Sequence, residues 1–391
     1  MKPWDVVIIG AGAAGMMCAL TAGYRGRRVL LIEQARRVGR KILMSGGGRC
    51  NFTNLDTGPR HFFSANPHFC ISALKRYTPQ DFVELTERHG IEPVEKAPGQ
   101  LFCADSSQPI VDMLLTECEW AGVTLATRTR VDRIEREGSA MRLDTSMGRL
   151  SAGHVVVATG GLSIPSMATD FGHQIARQFG LEVTPLRPAL VPFTLGSPWK
   201  ERMAELSGVS TPVEVRCRDG CYREPALMTH RGISGPAMLQ ASSHWQPGDA
   251  LCINWLPEED VEGALHQSRR QYPKRQLDAW LSERLPRRLA RAMSQWLGYS
   301  GALANYSNTD LAGVAEALQQ FQLTPTGTEG WRTAEVTMGG VDTEAISSKT
   351  FEVHDLPALC FIGEVLDVTG QLGGYNFQWA WASGVACGQA L

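Results

Sequence analysis

Gly10, Gly12 and Gly15 stand in the spacing G-x-G-x-x-G, and a carboxylate, Glu33, follows one strand later. These residue types at this spacing bind the pyrophosphate and ribose of a dinucleotide. Gly10 permits the tight turn, Gly12 lets the backbone approach the pyrophosphate, and Gly15 lets helix and strand pack closely. Ala13 and Ala14 open a helix whose orphan N–H groups and partial positive charge attract phosphate. Glu33 suits the hydroxyls of an adenosine ribose and repels a 2′-phosphate, which argues against NADP in this slot.

A lone glycine fingerprint is a weak signal, and its flanking elements are what strengthen it. Val6 to Ile9 reads as a fully buried parallel strand, Ala13 to Tyr24 as a helix and Val29 to Ile32 as the next strand. A second set of elements points to a longer ligand. Val155 to Ala158 is an apolar strand ending in Thr159, Gly160 and Gly161, whose small size admits a close backbone. Leu359 to Ile362 is another, ending in Gly363 and Glu364, and Gly373, Gly374, Tyr375 and Asn376 lead into a helical run to Ala390. An N-terminal fingerprint paired with a C-terminal strand, acid, loop and helix is the pattern of FAD proteins. Glu364 suits a ribityl or ribose hydroxyl, and the helix after Gly374 can direct its positive end at the flavin. A plain helix-entry loop is the alternative for Gly373 and Gly374.

Between these sets lies Gly39-Arg40-Lys41-Ile42-Leu43-Met44-Ser45-Gly46-Gly47-Gly48-Arg49-Cys50-Asn51-Phe52-Thr53-Asn54. Gly46, Gly47 and Gly48, after Ser45, expose backbone N–H groups and admit a bulky planar ligand. Arg40, Lys41 and Arg49 bring positive charge to a pyrophosphate or a reduced flavin. Asn51 and Asn54 are candidates for the polar edges of the ring. Cys50 is either a thiol that takes part in chemistry or a small residue packed beside the cofactor; no partner cysteine or base follows at short spacing.

This signature, with Thr229-His230-Arg231-Gly232-Ile233-Ser234-Gly235-Pro236, Thr337-Met338-Gly339-Gly340-Val341 and Gly363-Glu364-Val365-Leu366-Asp367-Val368-Thr369-Gly370, closely resembles the BaiN/YhiN-type bacterial flavoproteins. The resemblance runs over nearly the whole chain. It implies an α/β protein with a Rossmann-like FAD-binding domain of the two-dinucleotide-fold type, and an inserted domain with a β-barrel-like part and a helical part. It also implies an NAD(P)/FAD-dependent oxidoreductase, while relatives that reduce steroid-like enones or resemble an aminoacetone oxidase leave the reaction open. In similar FAD folds a backbone contact to adenine falls where Val131 stands.

The implied division is residues 1–188 and 332–391 for the flavin fold and 189–331 for the insert, β-rich over 189–256 and helical over 257–322. An insert over the flavin would exclude water from the substrate. Pro79 to Ile91 and Gln108 to Ala121 read as helices, and Val123 to Asp144 as strands of a smaller sheet. His230 is the best single candidate for substrate contact or proton transfer, against a turn histidine with a structural hydrogen bond.

Bulk properties fit a soluble cytoplasmic enzyme. Of 391 residues, 43% are hydrophobic and 20% charged, and the formal net charge of -2 gives no global attraction to nucleic acid or anionic lipid. No apolar run approaches the roughly 18 residues that span a bilayer. The first apolar strand has no basic region before it, so a signal peptide is not expected. The ten cysteines are scattered, as buried reduced thiols are. Cys217 and Cys221 flank a hairpin turn and lack the further ligands a metal would need.

One local charge run departs from this balance. Arg269, Arg270, Lys274, Arg275, Arg284, Arg287, Arg288 and Arg291 face only Asp278 and Glu283 over that stretch. A solvated helix face explains it, and so does contact with RNA. The leading expectation is thus hydride transfer between flavin N5 and a small or medium organic substrate, with NAD(P)H as a transient, diffusible donor, since no second fingerprint exists. An oxygen-reoxidised amine-type oxidase, an RNA-associated flavoprotein and a Cys50-based redox sensor are the alternatives.

Overall fold

The computed structural model describes residues 3–391. They form two compact units, one made of residues 3–188 with Val336–Leu391 and the other of Ala189–Glu335.

The first unit is built on an eight-stranded sheet. Its main path runs Glu352–Val353, Leu356–Phe361, Gly148–Val157, β1 (Trp4–Ile9), β2 (Val29–Ile32) and Thr124–Ala126. All neighbours on this path pair in parallel except the Glu352–Val353 edge. Val6, Val7, Ile8, Leu31, Val156 and Phe361 are fully or almost fully buried, as strands covered on both faces require. The helix α1 (Ala13–Tyr24) is buried along most of its length and lies against the last helix, Tyr375–Ala390. Small residues make that approach possible: a Cβ on Gly384 would lie 2.5 Å from the Ala14 carbonyl oxygen.

Two local expectations need correction. Val123 to Asp144 does not form a separate smaller sheet. Thr124–Ala126 extends the parallel sheet beside β2, and the hairpin Val131–Glu137 with Ala140–Thr145 continues onto Gly148–Val157. That ten-residue strand serves both, its first half pairing with the hairpin and its second half entering the centre. The helix from Pro79 ends at Arg88 rather than Ile91, because Gly90 takes a left-handed φ of 69°.

The second unit carries an antiparallel seven-stranded sheet in the order Phe321–Leu323, Leu251–Asn254, Ser210–Cys217, Gly220–Met228, Gly232–Ser234, Phe193–Thr194, Gly327–Thr328. No pairing among the described residues joins its two ends, so the barrel-like part is an open sheet. Val261–Gln271, Leu277–Ser282, Arg287–Trp296 and Asn308–Gln319 are its principal later helices. Trp255, Trp280, Leu289 and Met293 belong to a core of its own. The unit extends to Glu335, beyond residue 331. The returning chain runs beside the outgoing one there, with Glu335 N–H donating to the Leu190 carbonyl at 3.2 Å and Glu329 N–H to that of Pro192 at 2.9 Å. No helix among the described residues is long and apolar enough to cross a membrane.

Candidate FAD site

The dinucleotide turn sits where β1 ends. Gly10 has a φ of 106°, and a Cβ on it would lie 2.4 Å from the Ala158 carbonyl oxygen. A Cβ on Gly15 would lie 1.9 Å from the Gly10 carbonyl oxygen, so close packing requires glycine at both positions. Gly12 is different, since nothing stands within 4 Å of the Cβ it lacks. That open space lies before the first turn of α1, whose leading N–H groups have no partner within the helix. Glu33 follows β2. One carboxylate oxygen accepts from Ala11 N–H at 3.0 Å and the other from Ala35 N–H at 2.8 Å, which aims the group at the turn. Thr129 N–H donates to the Glu33 carbonyl, placing the chain just before Val131 beside it.

The glycine signature folds as α2 (Arg40–Gly48), helical only to Met44. Ser45 turns to ψ 154°, and Gly46, Gly47 and Gly48 take φ of 56°, 65° and 83°. Gly46 packs on Phe102, whereas a Cβ on Gly47 or Gly48 would meet nothing within 4 Å, and the Gly48 carbonyl accepts from Ser107 N–H at 2.8 Å. Arg49 is exposed. The Arg40 guanidinium donates to the Ser166 carbonyl at 2.9 Å, so part of its hydrogen-bonding capacity serves the fold.

Lys41 is the hub that joins the motifs. Its ammonium donates to Glu364 and to the Ser163 hydroxyl, both at 2.6 Å. The other Glu364 oxygen accepts from Thr337 N–H at 3.0 Å, and Thr337 Oγ1 accepts from Leu162 N–H at 2.7 Å. Four sequence-distant segments therefore meet at one carboxylate. Burial raises the Glu364 pKa, but the Lys41 charge and these hydrogen bonds outweigh it and hold the carboxyl below its usual range. Glu364, expected as an acceptor for the cofactor, is thus first the anion of this ion pair. Gly161 lacks a side chain because its Cβ would lie 2.3 Å from Thr337 Oγ1; Gly160 has a left-handed φ of 72°. Ser163 was not singled out by the sequence, although it follows the Gly160-Gly161 pair closely.

The strand β3 (Asn51–Asn54) receives the start of the last helix. A Cβ on Gly374 would lie 2.5 Å from the Thr53 carbonyl oxygen, and Gly363, with φ 73°, approaches Ala14. Both ends of the chain's flavin motifs therefore converge on α1 and β3. Three amides among the expected cofactor-binding residues make hydrogen bonds within this packing. Asn376 brackets the Gly370 backbone, accepting from its N–H and donating to its carbonyl, both at 2.8 Å. Asn54 is buried and donates to the Gly373 carbonyl at 2.9 Å. The Asn51 amide pairs with Gln100 at 3.0 Å. Tyr375 is buried and stacks on His61 at 4.3 Å between ring centroids. The Thr159 hydroxyl turns toward Gly172 and has no hydrogen bond among the described residues.

Cys50 is fully buried, and burial pushes its thiol up to about 12, which suppresses the thiolate that chemistry would need. The packing alternative accounts for it. His230 is exposed at the tip of the hairpin between Gly220–Met228 and Gly232–Ser234. Thr229 holds that turn, its hydroxyl accepting from Gly232 N–H at 3.1 Å, and His230 has no side-chain hydrogen bond among the described residues. Cys217 and Cys221 flank the hairpin turn as expected, one buried and one exposed, and no metal-binding group of three ligands occurs among the described residues.

The residues fit FAD on the structure's own terms. The open space at Gly12, before the first turn of α1, and the Glu33 carboxylate held at the same turn leave room for a pyrophosphate and an acceptor for a ribose. Comparison with known proteins agrees. The chain matches the HI0933-like protein Rossmann domain over residues 4–390. It is 50% identical over 395 residues to a ribosomal RNA dihydrouridine synthase of Escherichia coli K12, covering 100% of this chain and 98% of that protein. The Haemophilus influenzae protein of the same name is 47% identical, with 98% of each chain covered. A 3-dehydro-bile acid delta(4,6)-reductase of Clostridium scindens is 28% identical, again over 98% of each. The chain belongs to the HI0933-like Rossmann flavoprotein family, and it is an FAD-dependent oxidoreductase.

Proposed function

We propose that this protein reduces uridine in ribosomal RNA to dihydrouridine. The observation that carries the reading is 50% identity, end to end, with an enzyme of that name. The bile acid reductase supports the reaction type, since both names describe adding hydrogen across a carbon–carbon double bond.

In uracil the C5=C6 bond is conjugated to the C4 carbonyl. A hydride adds at C6, a proton adds at C5, and no other bond breaks. FAD, when bound, supplies the hydride, and NAD(P)H is the diffusible donor that restores it. The chain's own residues do the holding. The first turn of α1 would take the pyrophosphate, Glu33 would accept from the adenosine ribose, and the positive end of the last helix would favour an electron-rich ring. Within the second unit, His230 is the candidate for contact with the RNA: it is exposed, and its ring has no hydrogen bond among the described residues.

The test uses the FAD-loaded protein with NADH or NADPH under anaerobic conditions and ribosomal RNA from cells that lack the protein. Nucleoside mass spectrometry should find uridine heavier by two hydrogens, with one nicotinamide oxidised per product. Unchanged RNA alongside rapid reduction of a steroid-like enone would replace this reading with a small-molecule reductase.

A further inference from the structure

The structure separates the eight cations of the Arg269 to Arg291 run into two sets. Four hold the second unit together. Arg269 donates to the Tyr306 carbonyl and the Asn308 side chain, and Arg275 pairs with Glu283. Arg284 pairs with Glu259 at 2.7 Å and lies 3.9 Å over the Trp280 ring. Arg288 donates to the carbonyls of Glu205 and Ser207. The other four, Arg270, Lys274, Arg287 and Arg291, are exposed and have no ion pair or side-chain hydrogen bond among the described residues.

These four fall into two exposed pairs of the second unit. Arg287 and Arg291 are one helical turn apart on Arg287–Trp296, about 6 Å along its axis. That helix contains no acid, and its opposite face, Leu289, Ala290 and Met293, is fully buried. Arg270 and Lys274 flank the turn that leaves Val261–Gln271, and Tyr272 between them is 58% exposed. The Arg275 to Glu283 pair ties this turn to the chain that enters the Arg287 helix. Tyr272, Pro273, Lys274 and Arg275 line an open hollow of about 390 Å³, with the Arg275 guanidinium 5.3 Å from the Tyr272 ring.

We infer that the two pairs together form a face of the second unit that docks single-stranded RNA, with Tyr272 as a stacking platform for an unpaired base and Arg270, Lys274, Arg287 and Arg291 on the flanking phosphates. The inference rests on the proposed action on ribosomal RNA. Unpaired cations beside an exposed aromatic are the pattern of single-strand recognition, since every base offers a π face and every nucleotide a phosphate. A membrane surface fits less well, because the apolar side of the arginine helix is spent on the core and cannot enter lipid.

The experiment compares the FAD-loaded wild type with R287E/R291E, the milder R287Q/R291Q and Tyr272→Ala. Each is titrated with a fluorescent single-stranded fragment of ribosomal RNA, a duplex of equal length and anionic vesicles, over a salt series. Retained flavin content and helical circular dichroism confirm folding. Removing two phosphate contacts should lower the slope of log affinity against log salt by about 1.4. Tyr272→Ala should weaken the single strand by about fivefold to a hundredfold and leave the duplex nearly unchanged. If the wild type binds and reduces ribosomal RNA while the arginine variants match its affinity and slope, this surface is wrong and the proposed function stands. If the wild type neither binds nor reduces it, both fall. Vesicle binding that is lost in the arginine variants, with RNA binding kept, would assign the face to a membrane instead.

Discussion

The two units place their charges differently. In the first, Gly10, Gly15, Gly161 and Gly374 are fixed by backbone or side chains that leave no room for a Cβ, and the central ion pair of Lys41 with Glu364 joins residues far apart in sequence. In the second, most ion pairs of the arginine-rich segment are between near neighbours on the chain, and its unpaired cations face solvent. A site that must enclose a cofactor is specified by closeness. A surface that must meet a polymer is specified by what is left free.

The sharpest break of the first pattern is at its tightest contact. Gly15→Val puts a branched side chain into the Gly10 carbonyl, and the expected cost is at least about 3 kcal/mol, with loss of bound FAD. Gly12→Ala is the partner experiment. Open space surrounds that Cβ, so Tm should hardly move while FAD affinity falls, and flavin fluorescence during titration separates the two. If Gly12→Ala binds FAD as well as the wild type, the cradle is misplaced. Glu33→Ala comes next. Removing a charged acceptor from the ribose should weaken FAD by about 1.5–3 kcal/mol, and an unchanged affinity would move the adenosine elsewhere.

The same contrast explains what could be read in advance. The β1, α1 and β2 elements and the turn at Gly10 were legible because a buried parallel strand, a glycine turn and a helix have one sequence pattern. The backbone hydrogen bonds of Asn54 and Asn376 were not legible, because an amide that brackets a backbone and one that meets a ligand look alike in sequence. Ser163 was missed because its value lies in Lys41, far along the chain, and no local periodicity records that. In the second unit the eight cations could be counted, but only packing shows that Arg288 is a clasp and Arg291 is not.

Lys41→Met tests whether the hub is electrostatic. Because the Lys41 side chain is 32% exposed, the loss should be about 2 kcal/mol near neutral pH, below that of a wholly buried pair. The pH dependence gives a second sign. The folded Glu364 pKa lies below its ordinary 4.5, so its stabilisation is present above 4.5 and is lost as pH falls through the folded value. Without Lys41, burial is left to raise that pKa, and the contribution reverses: the variant should then lose relative stability as pH rises through the new value. Urea denaturation of both proteins between pH 3 and about 7 reads this directly, and parallel curves would show that the pair contributes packing and no charge.

The smallest effect carries the most information about the second unit. Arg288 and Arg291 lie on the same helix and both are exposed, yet only Arg288 has hydrogen bonds, to the carbonyls of Glu205 and Ser207. Arg288→Ala leaves those carbonyls without their donor and should cost about 1 kcal/mol. Arg291→Ala removes only a solvated charge and should stay within about 0.5 kcal/mol of the wild type. Thermal denaturation resolves the difference if both variants are measured at one salt concentration, and added salt should leave the Arg288 effect standing because its partners are neutral carbonyls. Equal losses at the two positions would mean that Arg291 is also structural, and the distinction between clasp and free cation would fail with it.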